Sequence, residues 1–344
     1  MDSLFPSSFE VCVHCMVYNH ARFILDALAG FTKQKTSFDY VTVIVDDAST
    51  DRSGEILLDF YNDCFLTDEE GVAWHKEDDY ARYYFARCKD NPHCFFAIQL
   101  LKTNRYRQQI KRDKIKEWSE RSRYVALCEG DDYWIDSLKL QKQVDFLNSN
   151  PEYSLCFGNA IEHWEGKNLD DKIFSRIEDR DYDPDETSQG WIVPTATSLF
   201  RKEVYETQLY QRYVQDSKII TGDLPLWLTL STIGLLRGFS DVFSVYRRLD
   251  SGFMLKMKSK DRIAMGDHRV EIYKVFGSHY KKSTISMAMT HYRLALVYAK
   301  MEKDPKMLLK SLWKFISVRL MYPGVFLYHV QKIFEEKRLA RSKN

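Results

Sequence analysis

The chain has 344 residues, 44% of them hydrophobic and 29% charged, with a formal net charge of +1. That is the composition of a soluble globular protein large enough for one catalytic domain and an appendage, and its balanced charge excludes bulk nucleic-acid binding as a whole-chain property. Met1-Asp2-Ser3-Leu4-Phe5-Pro6 lacks the basic start and apolar core of a signal peptide, and no apolar run reaches the length of a membrane span.

Residues 9–17 run apolar through Val11, Val13, Cys15 and Val17 and predict a first strand. Tyr18-Asn19-His20 is turn chemistry, and Phe23, Ile24, Ala27, Leu28 and Phe31 follow at helical spacing. Tyr40–Val45 is β-branched or aromatic almost throughout, as expected of a strand covered on both faces. It ends in Asp46-Asp47-Ala48-Ser49-Thr50-Asp51, where Ser49, Thr50 or Asp51 can cap a helix carrying Ile56, Leu57 and Phe60. Strand, helix, strand, helix at this pitch implies a βαβ unit and a parallel sheet.

Residues 62–94 read as an insertion. Asp63, Asp68, Glu69, Glu70, Glu77, Asp78 and Asp79 make its first part acidic, and Tyr80, Tyr83, Tyr84 and Phe85 follow. Cys94–Leu101 predicts a third strand. Seven cysteines without framework spacing fit reduced thiols, and Cys88, His93 and Cys94 lack the second Cys/His pair of a zinc site. Arg105, Arg107, Lys111, Arg112, Lys114 and Lys116 form a basic run. It is either a solvated helix face over 108–121 or a phosphate contact.

Tyr124–Cys128 is a short apolar run that predicts a buried strand. It delivers Glu129, Asp131 and Asp132 into a turn opened by Gly130. Carboxylates at a strand's C-terminal end sit at the mouth of an open α/β sheet, where such folds bind ligands. Their hard oxygens suit Mg²⁺ or Mn²⁺, which in turn clamp phosphates. One acid pair on a loop is ordinary, but here two strands end in paired acids.

Further on, Leu138, Leu140, Val144 and Leu147 predict a helix ended by Asn150-Pro151, and Tyr153–Trp164 a strand. Residues 165–189 read as a polar loop. Residues 191–200 return to the core, with the small residues Thr195 to Ser198 serving either a tight turn or a close approach to a sugar. Gly222-Asp223-Leu224-Pro225 opens a helix, with Asp223 placed as its N-cap. Beyond Lys256, residues 285–301 and 307–321 show helical periodicity. They predict a helical cap, or a docking face built from Trp313, Phe315, Tyr322 and Phe326 among Lys310, Lys314 and Arg319.

Val17-Tyr18-Asn19-His20, then Val45-Asp46-Asp47-Ala48-Ser49-Thr50-Asp51, then Glu129-Gly130-Asp131-Asp132-Tyr133-Trp134 resembles glycosyltransferase family 2. The similarity resumes at Gly222-Asp223-Leu224-Pro225-Leu226-Trp227 and at Val245-Tyr246-Arg247-Arg248, and so covers most of residues 9–250. It implies a GT-A type α/β fold with a mostly parallel mixed sheet flanked by helices. The expected organisation is a glycosyltransferase domain over 1–255 and a C-terminal helical extension over 256–344.

The resemblance also implies an inverting, metal-assisted enzyme that moves a single sugar from a nucleotide-diphosphate donor, most often a UDP-sugar, to a hydroxyl acceptor. The acceptor class it suggests is a glycan or lipid-linked glycan of cell-surface assembly. On this reading Asn19, Asp46 and Asp47 lie on the nucleotide side, and Asp131 contacts ribose or the metal shell. Asp132 ligates Mn²⁺ or Mg²⁺, Arg247 or Arg248 adds positive charge, and Asp223 is the catalytic base. Glu129-Gly130 stands where many relatives have Asp and a small residue. The lack of a Gln-x-x-Arg-Trp motif tells against a processive synthase. The rival readings are a nucleotidyltransferase, which would want a Gly-rich loop after the first strand, and a catalytically silent nucleotide-sugar binder. The expected location is cytoplasmic, with peripheral contact at the inner face of the plasma membrane.

Overall fold

The computed structural model describes residues 8–64, 73–106, 108–188, 192–250, 252, 256–277 and 280–341. Asp68, Glu69, Glu70, Arg107 and Trp191 lie outside these residues, as do the side chains of Lys111 and Arg112. The chain forms two compact units. The first comprises Met1–Asp181, Val193–Glu203 and Ile233–Arg248, and the second Tyr182–Ile192, Val204–Thr232 and Leu249–Asn344. Against the expected division at 255/256, the second unit thus also recruits two earlier segments, one of which carries Asp223.

The first unit runs β1 (Phe9–Val17), α1 (Ile24–Thr32), β2 (Tyr40–Asp46), α2 (Ser53–Cys64), β3 (Ala73–Glu77), β4 (Ala81–Arg87) and β5 (Cys94–Leu101). It continues through α3 (Gln109–Ser119), β6 (Ser122–Leu127), β7 (Tyr133–Trp134), α4 (Lys139–Ser149), β8 (Tyr153–Trp164) and β9 (Lys172–Ile173), then β10 (Leu199–Arg201) and β11 (Leu235–Arg248). Among the described residues these strands make one eleven-stranded sheet, in the order β3-β4-β5-β2-β1-β6-β10-β8-β11-β7, with β9 on β8. β5, β2, β1 and β6 are parallel neighbours, and β10 and β4 run antiparallel. This is a mixed α/β sheet of the GT-A type, with a parallel centre (β5-β2-β1-β6) and mostly antiparallel pairing outside it.

Alternation along each strand builds two core layers. On one face Val11, Val13, Cys15 and Val17 of β1 meet Ile24, Leu28 and Phe31 of α1 and Leu140, Val144 and Leu147 of α4. On the other, Val41, Val43 and Val45 of β2 pack with Phe85, Phe95 and Ile115. The expected insertion is in part a hairpin: β3 and β4 extend the sheet beyond β5. Phe85 of β4 stacks on Trp74, Phe95 and Trp118 at 5.5–6.0 Å. Cys12, Cys15, Cys88, Cys94, Cys128 and Cys156 are free and buried.

The small residues before β10 fill the core: Thr197 and Ser198 are fully buried, and the Trp134 indole N–H donates to the Ala196 carbonyl at 2.7 Å. The tight-turn reading therefore explains them. Close packing at β7 needs Gly30, where a Cβ would lie 2.8 Å from the Trp134 carbonyl oxygen.

The second unit is helical: α5 (Pro184–Ser188), α6 (Gln208–Gln215) and α7 (Asp223–Leu230), then the helices Ser259–Phe276, Lys281–Met301, Pro305–Met321 and Pro323–Arg341. Asp304 caps the helix Pro305–Met321 by accepting the Met307 N–H at 3.0 Å. Ile263, Ile285, Ala288, Met289, Tyr292, Ala295, Val318 and Val325 form the core of these last helices. Phe315, Tyr322 and Phe326 pack against it, and Lys314 pairs with Asp267 at 2.7 Å. Of the aromatic residues expected on a docking face, only Trp313 is exposed. Among the described residues no helix is long and apolar enough to cross a membrane.

Candidate active site

The parallel order β2-β1-β6 brings three strand ends to one edge of the sheet: Asp46-Asp47 after β2, Asn19-His20 after β1 and Glu129 to Asp132 after β6. Asn19 stitches the first two loops together. Its backbone lies in the left-handed region at φ 59°, where asparagine is tolerated. Its Oδ1 accepts the Thr50 N–H at 2.8 Å and the Asp51 N–H at 3.3 Å, and its own N–H donates to Ser49 Oγ at 2.9 Å. Ala48 is also left-handed at φ 56°, a conformation that costs a residue with a Cβ about 1–2 kcal/mol.

Asp46 and Asp47 are buried. The Asp46 carboxylate accepts the Ser49 hydroxyl and, at 3.2 Å, the Ser49 N–H. Burial raises its pKa, and the bonds from Ser49 oppose that rise. Asp47 Oδ1 accepts the Arg105 N–H at 2.6 Å, and its carbonyl accepts Asn104 Nδ2 at 3.0 Å. The basic run therefore begins by seating Asp47 through its main chain. Further along, Lys114 pairs with Glu117 and Lys116 with Glu120, each at 3.2 Å, as on a solvated helix face.

Gly130 is a packing requirement. A Cβ there would meet Val17 Cγ2 at 2.9 Å, His20 Nδ1 at 3.0 Å and Ile24 Cδ1 at 3.2 Å. The chain then turns Asp132 inward, where it is buried, and leaves Asp131 with its Oδ2 3.9 Å from His20 Nε2. Burial raises the Asp132 pKa well above the usual carboxylate range, and the nearby Asp131 and Glu129 charges add to it. His20 is a site residue that the sequence motifs do not mark. Its place immediately after Asn19, in a turn between strand and helix, was the available signal.

Arg247 is buried, and its bonds tie down the 131–133 turn. Its N–H donates to Asp132 Oδ1 at 3.0 Å and its Nη1 to the Asp131 carbonyl at 2.8 Å. Its guanidinium also pairs with Asp26, lies 3.5 Å from Glu165 and stacks 4.4 Å from the Tyr133 ring centre. Arg248 pairs with Glu162 and lies 4.9 Å from the Tyr246 ring centre. Arg247 and Arg248, one or other of which was expected to add positive charge at the site, are each engaged by carboxylates.

Asp223 belongs to the second unit. It is the first residue of α7 and not its N-cap, which is Gly222. Its Oδ1 accepts the Leu224 N–H at 2.8 Å. Burial raises its pKa, while that bond and the Arg269 charge pull it down. A carboxylate with a raised pKa is a better proton acceptor.

The donor set offers a test of whether a divalent cation fits. Among the described residues no group of three or more His, Cys, Asp or Glu side chains is placed to hold a metal. Asp131 and Asp132 remain as a pair, with Glu129 adding a further carboxylate charge nearby. One or two carboxylates, completed by substrate phosphates and water, is how Mg²⁺ is usually held at nucleotide sites. The residues fit on those terms.

A mixed sheet of this kind flanked by helices is similar in fold to that of solved glycosyltransferase structures. Residues 1–349 of S. aureus TarS, crystallised with UDP-GlcNAc, superpose with a TM-score of 0.59 at 14% identity, covering 90% of this chain and 81% of that one. S. aureus TarS in a longer form gives a TM-score of 0.56 at 14% identity, covering 90% of this chain and 49% of that one. In sequence, the chain is 36% identical over 140 residues to the uncharacterized proteins Mb1547 of Mycobacterium bovis and Rv1520 of Mycobacterium tuberculosis. That match spans 41% of this chain and only 32% of each relative. No family model matches.

Proposed function

We propose that the chain is an inverting glycosyltransferase of the family 2 kind. It moves one sugar from a nucleotide-diphosphate donor, a UDP-sugar, to a hydroxyl of a glycan or lipid-linked acceptor in cell-surface glycan assembly. The observation that carries this reading is the pairing of Asp46-Asp47 with Asp131-Asp132 across the end of β1, in a fold shared with a protein crystallised with UDP-GlcNAc.

Asp46 and Asp47, held by Ser49 and Arg105, form the nucleoside side of the site, with Asn19 fixing the loop between them and β1. Asp132, with Asp131, holds Mn²⁺ or Mg²⁺. When bound, that cation neutralises diphosphate charge as a Lewis acid. Arg247 keeps both carboxylates in place through the Asp131 carbonyl and the Asp132 Oδ1. Asp223 takes the acceptor hydroxyl's proton as that oxygen bonds to the anomeric carbon. The bond from carbon to phosphate oxygen breaks, and the nucleoside diphosphate leaves with the electron pair. Attack opposite the leaving group inverts the centre. The expected location is cytoplasmic.

Calorimetric titration with UDP tests the donor site. Affinity should fall at least about tenfold when the divalent cation is chelated, and by as much in Asp132→Ala, the weight of one lost charge-assisted contact. Equal affinity with and without metal would sink the assignment of Asp132.

A further inference from the structure

The helix Pro305–Met321 is apolar on two sides. Ser311 and Val318 are buried, and Met307 and Phe315 pack against the core of the second unit. The opposite side carries Leu309 (68% exposed), Trp313 (64%), Ile316 (43%) and Leu320 (74%). At about 100° per residue these four fall within about 60° of one another, a straight ridge along the helix. The same geometry sets Lys306 and Lys310 along one border of the ridge and Arg319 along the other, all three exposed. The helix contains no acidic residue. In the next helix Leu327 and Phe334, seven residues apart, are exposed as well.

Scattered exposed leucines need no explanation, but a continuous ridge with a tryptophan at its middle does. Either a second copy of the chain or an anionic surface can cover such a ridge. A second copy would set the cations bordering one ridge against those of the other, a repulsive arrangement. An anionic surface meets them favourably: lysine and arginine stems can lie along the apolar face while their heads reach headgroups. We propose that this helix lays its Leu309–Trp313–Ile316–Leu320 ridge into the surface of an anionic lipid bilayer, with Lys306, Lys310 and Arg319 meeting the headgroups. The inference does not depend on the donor chemistry of the first unit.

The test is vesicle flotation of the full chain with phosphatidylcholine, with and without phosphatidylglycerol, at low and high salt. The chain should float only with the anionic vesicles and detach as salt rises. Trp313→Ser/Ile316→Ser/Leu320→Ser removes the ridge, and Lys306→Gln/Lys310→Gln removes one charged border. Each should weaken binding about tenfold or more. These side chains are exposed, so the lipid-free melting temperature should stay near the parent's. Should the ridge variant fail to fold, the charge variant alone decides. No flotation with anionic vesicles at low salt overturns the proposal, as does unchanged flotation of the folded variants. Self-association of the parent that disappears in the ridge variant also overturns it, since the ridge would then be covered by a second copy.

Discussion

The Arg247 N–H donates to Asp132 Oδ1 at 3.0 Å, while the same residue's guanidinium donates to the Asp131 carbonyl at 2.8 Å. One residue of β11 therefore holds both acids of the turn after β6, 115 residues earlier in the chain. A guanidinium free to meet phosphate would be dispensable to the fold. This one, wedged between Asp26, Glu165 and the Tyr133 ring, is not. Arg247→Gln should lower stability by about 1–3 kcal/mol, because it removes the buried guanidinium's charge-assisted contacts to the Asp131 carbonyl, Asp26 and Glu165 while the main-chain bond to Asp132 stays. Urea denaturation measures it, and a loss below about 0.5 kcal/mol would return Arg247 to a phosphate-facing role.

Gly130→Ala probes the same turn from its other side. The new methyl group meets Val17, His20 and Ile24 at 2.9–3.2 Å, so the strand end must shift to admit it. The expected loss of stability is about 1–3 kcal/mol, as for overpacking elsewhere. UDP affinity should fall with it, because Asp131 and Asp132 follow directly. Parental stability and affinity together would show that the turn yields without cost.

For Asp223, Asp223→Asn separates catalysis from support. Asparagine keeps an Oδ1 to accept the Leu224 N–H but removes the charge facing buried Arg269, so UDP binding should stay near parental while the melting temperature falls modestly. What it loses is the ability to take a proton, which general bases turn into about 10²–10⁴-fold in rate. Transfer by this variant at a near-parental rate would place the base elsewhere.

Lys139 makes a prediction about pH. It is fully buried, donates to Gln143 Oε1 at 2.8 Å and sits 4.3 Å from the Trp134 ring centre. Burial pulls its pKa down from 10.5 to about 7. Below about 7 both folded and unfolded chains hold this proton, and the lysine adds no slope to stability. Between about 7 and 10.5 only the unfolded chain holds it, so stability rises with pH, by at most about 1.4 kcal/mol per unit. Lys139→Met should flatten that rise, as read from urea midpoints at pH 7 and pH 9. Parallel pH profiles for parent and variant would show that Lys139 keeps its proton in the fold.

Much of the first unit was legible in the sequence because its strands are buried on both faces. Residues 9–17, 94–101 and 153–164 are apolar runs whose predicted and observed ends coincide. The acid pairs were legible for a related reason, since they follow such runs immediately. The β3–β4 hairpin was not, because His75, Lys76 and Glu77 at its edge are exposed and polar, and the alternation of Ala81, Tyr83 and Phe85 is easily taken for an aromatic loop. Arg247 was visible only as a charge. Nothing local tells that β11 pairs with β7 and so brings it beneath Asp132. Of the docking face expected from Trp313, Phe315, Tyr322 and Phe326, only Trp313 lies on the exposed ridge, because the helix has two apolar sides and periodicity alone cannot say which one faces inward.

The buried cysteines have a practical consequence. Burial pushes the thiols of Cys12, Cys15, Cys94, Cys128 and Cys156 up, away from the reactive thiolate. They sit on β1, on β5, just past β6 and on β8, spread across the centre of the sheet. An alkylating reagent can reach them only when the sheet opens. With Cys64 replaced by serine, the rate at which the native chain gains mass from such a reagent becomes a clock for opening of the sheet. Slowing of that clock by UDP would report donor binding before any acceptor is known.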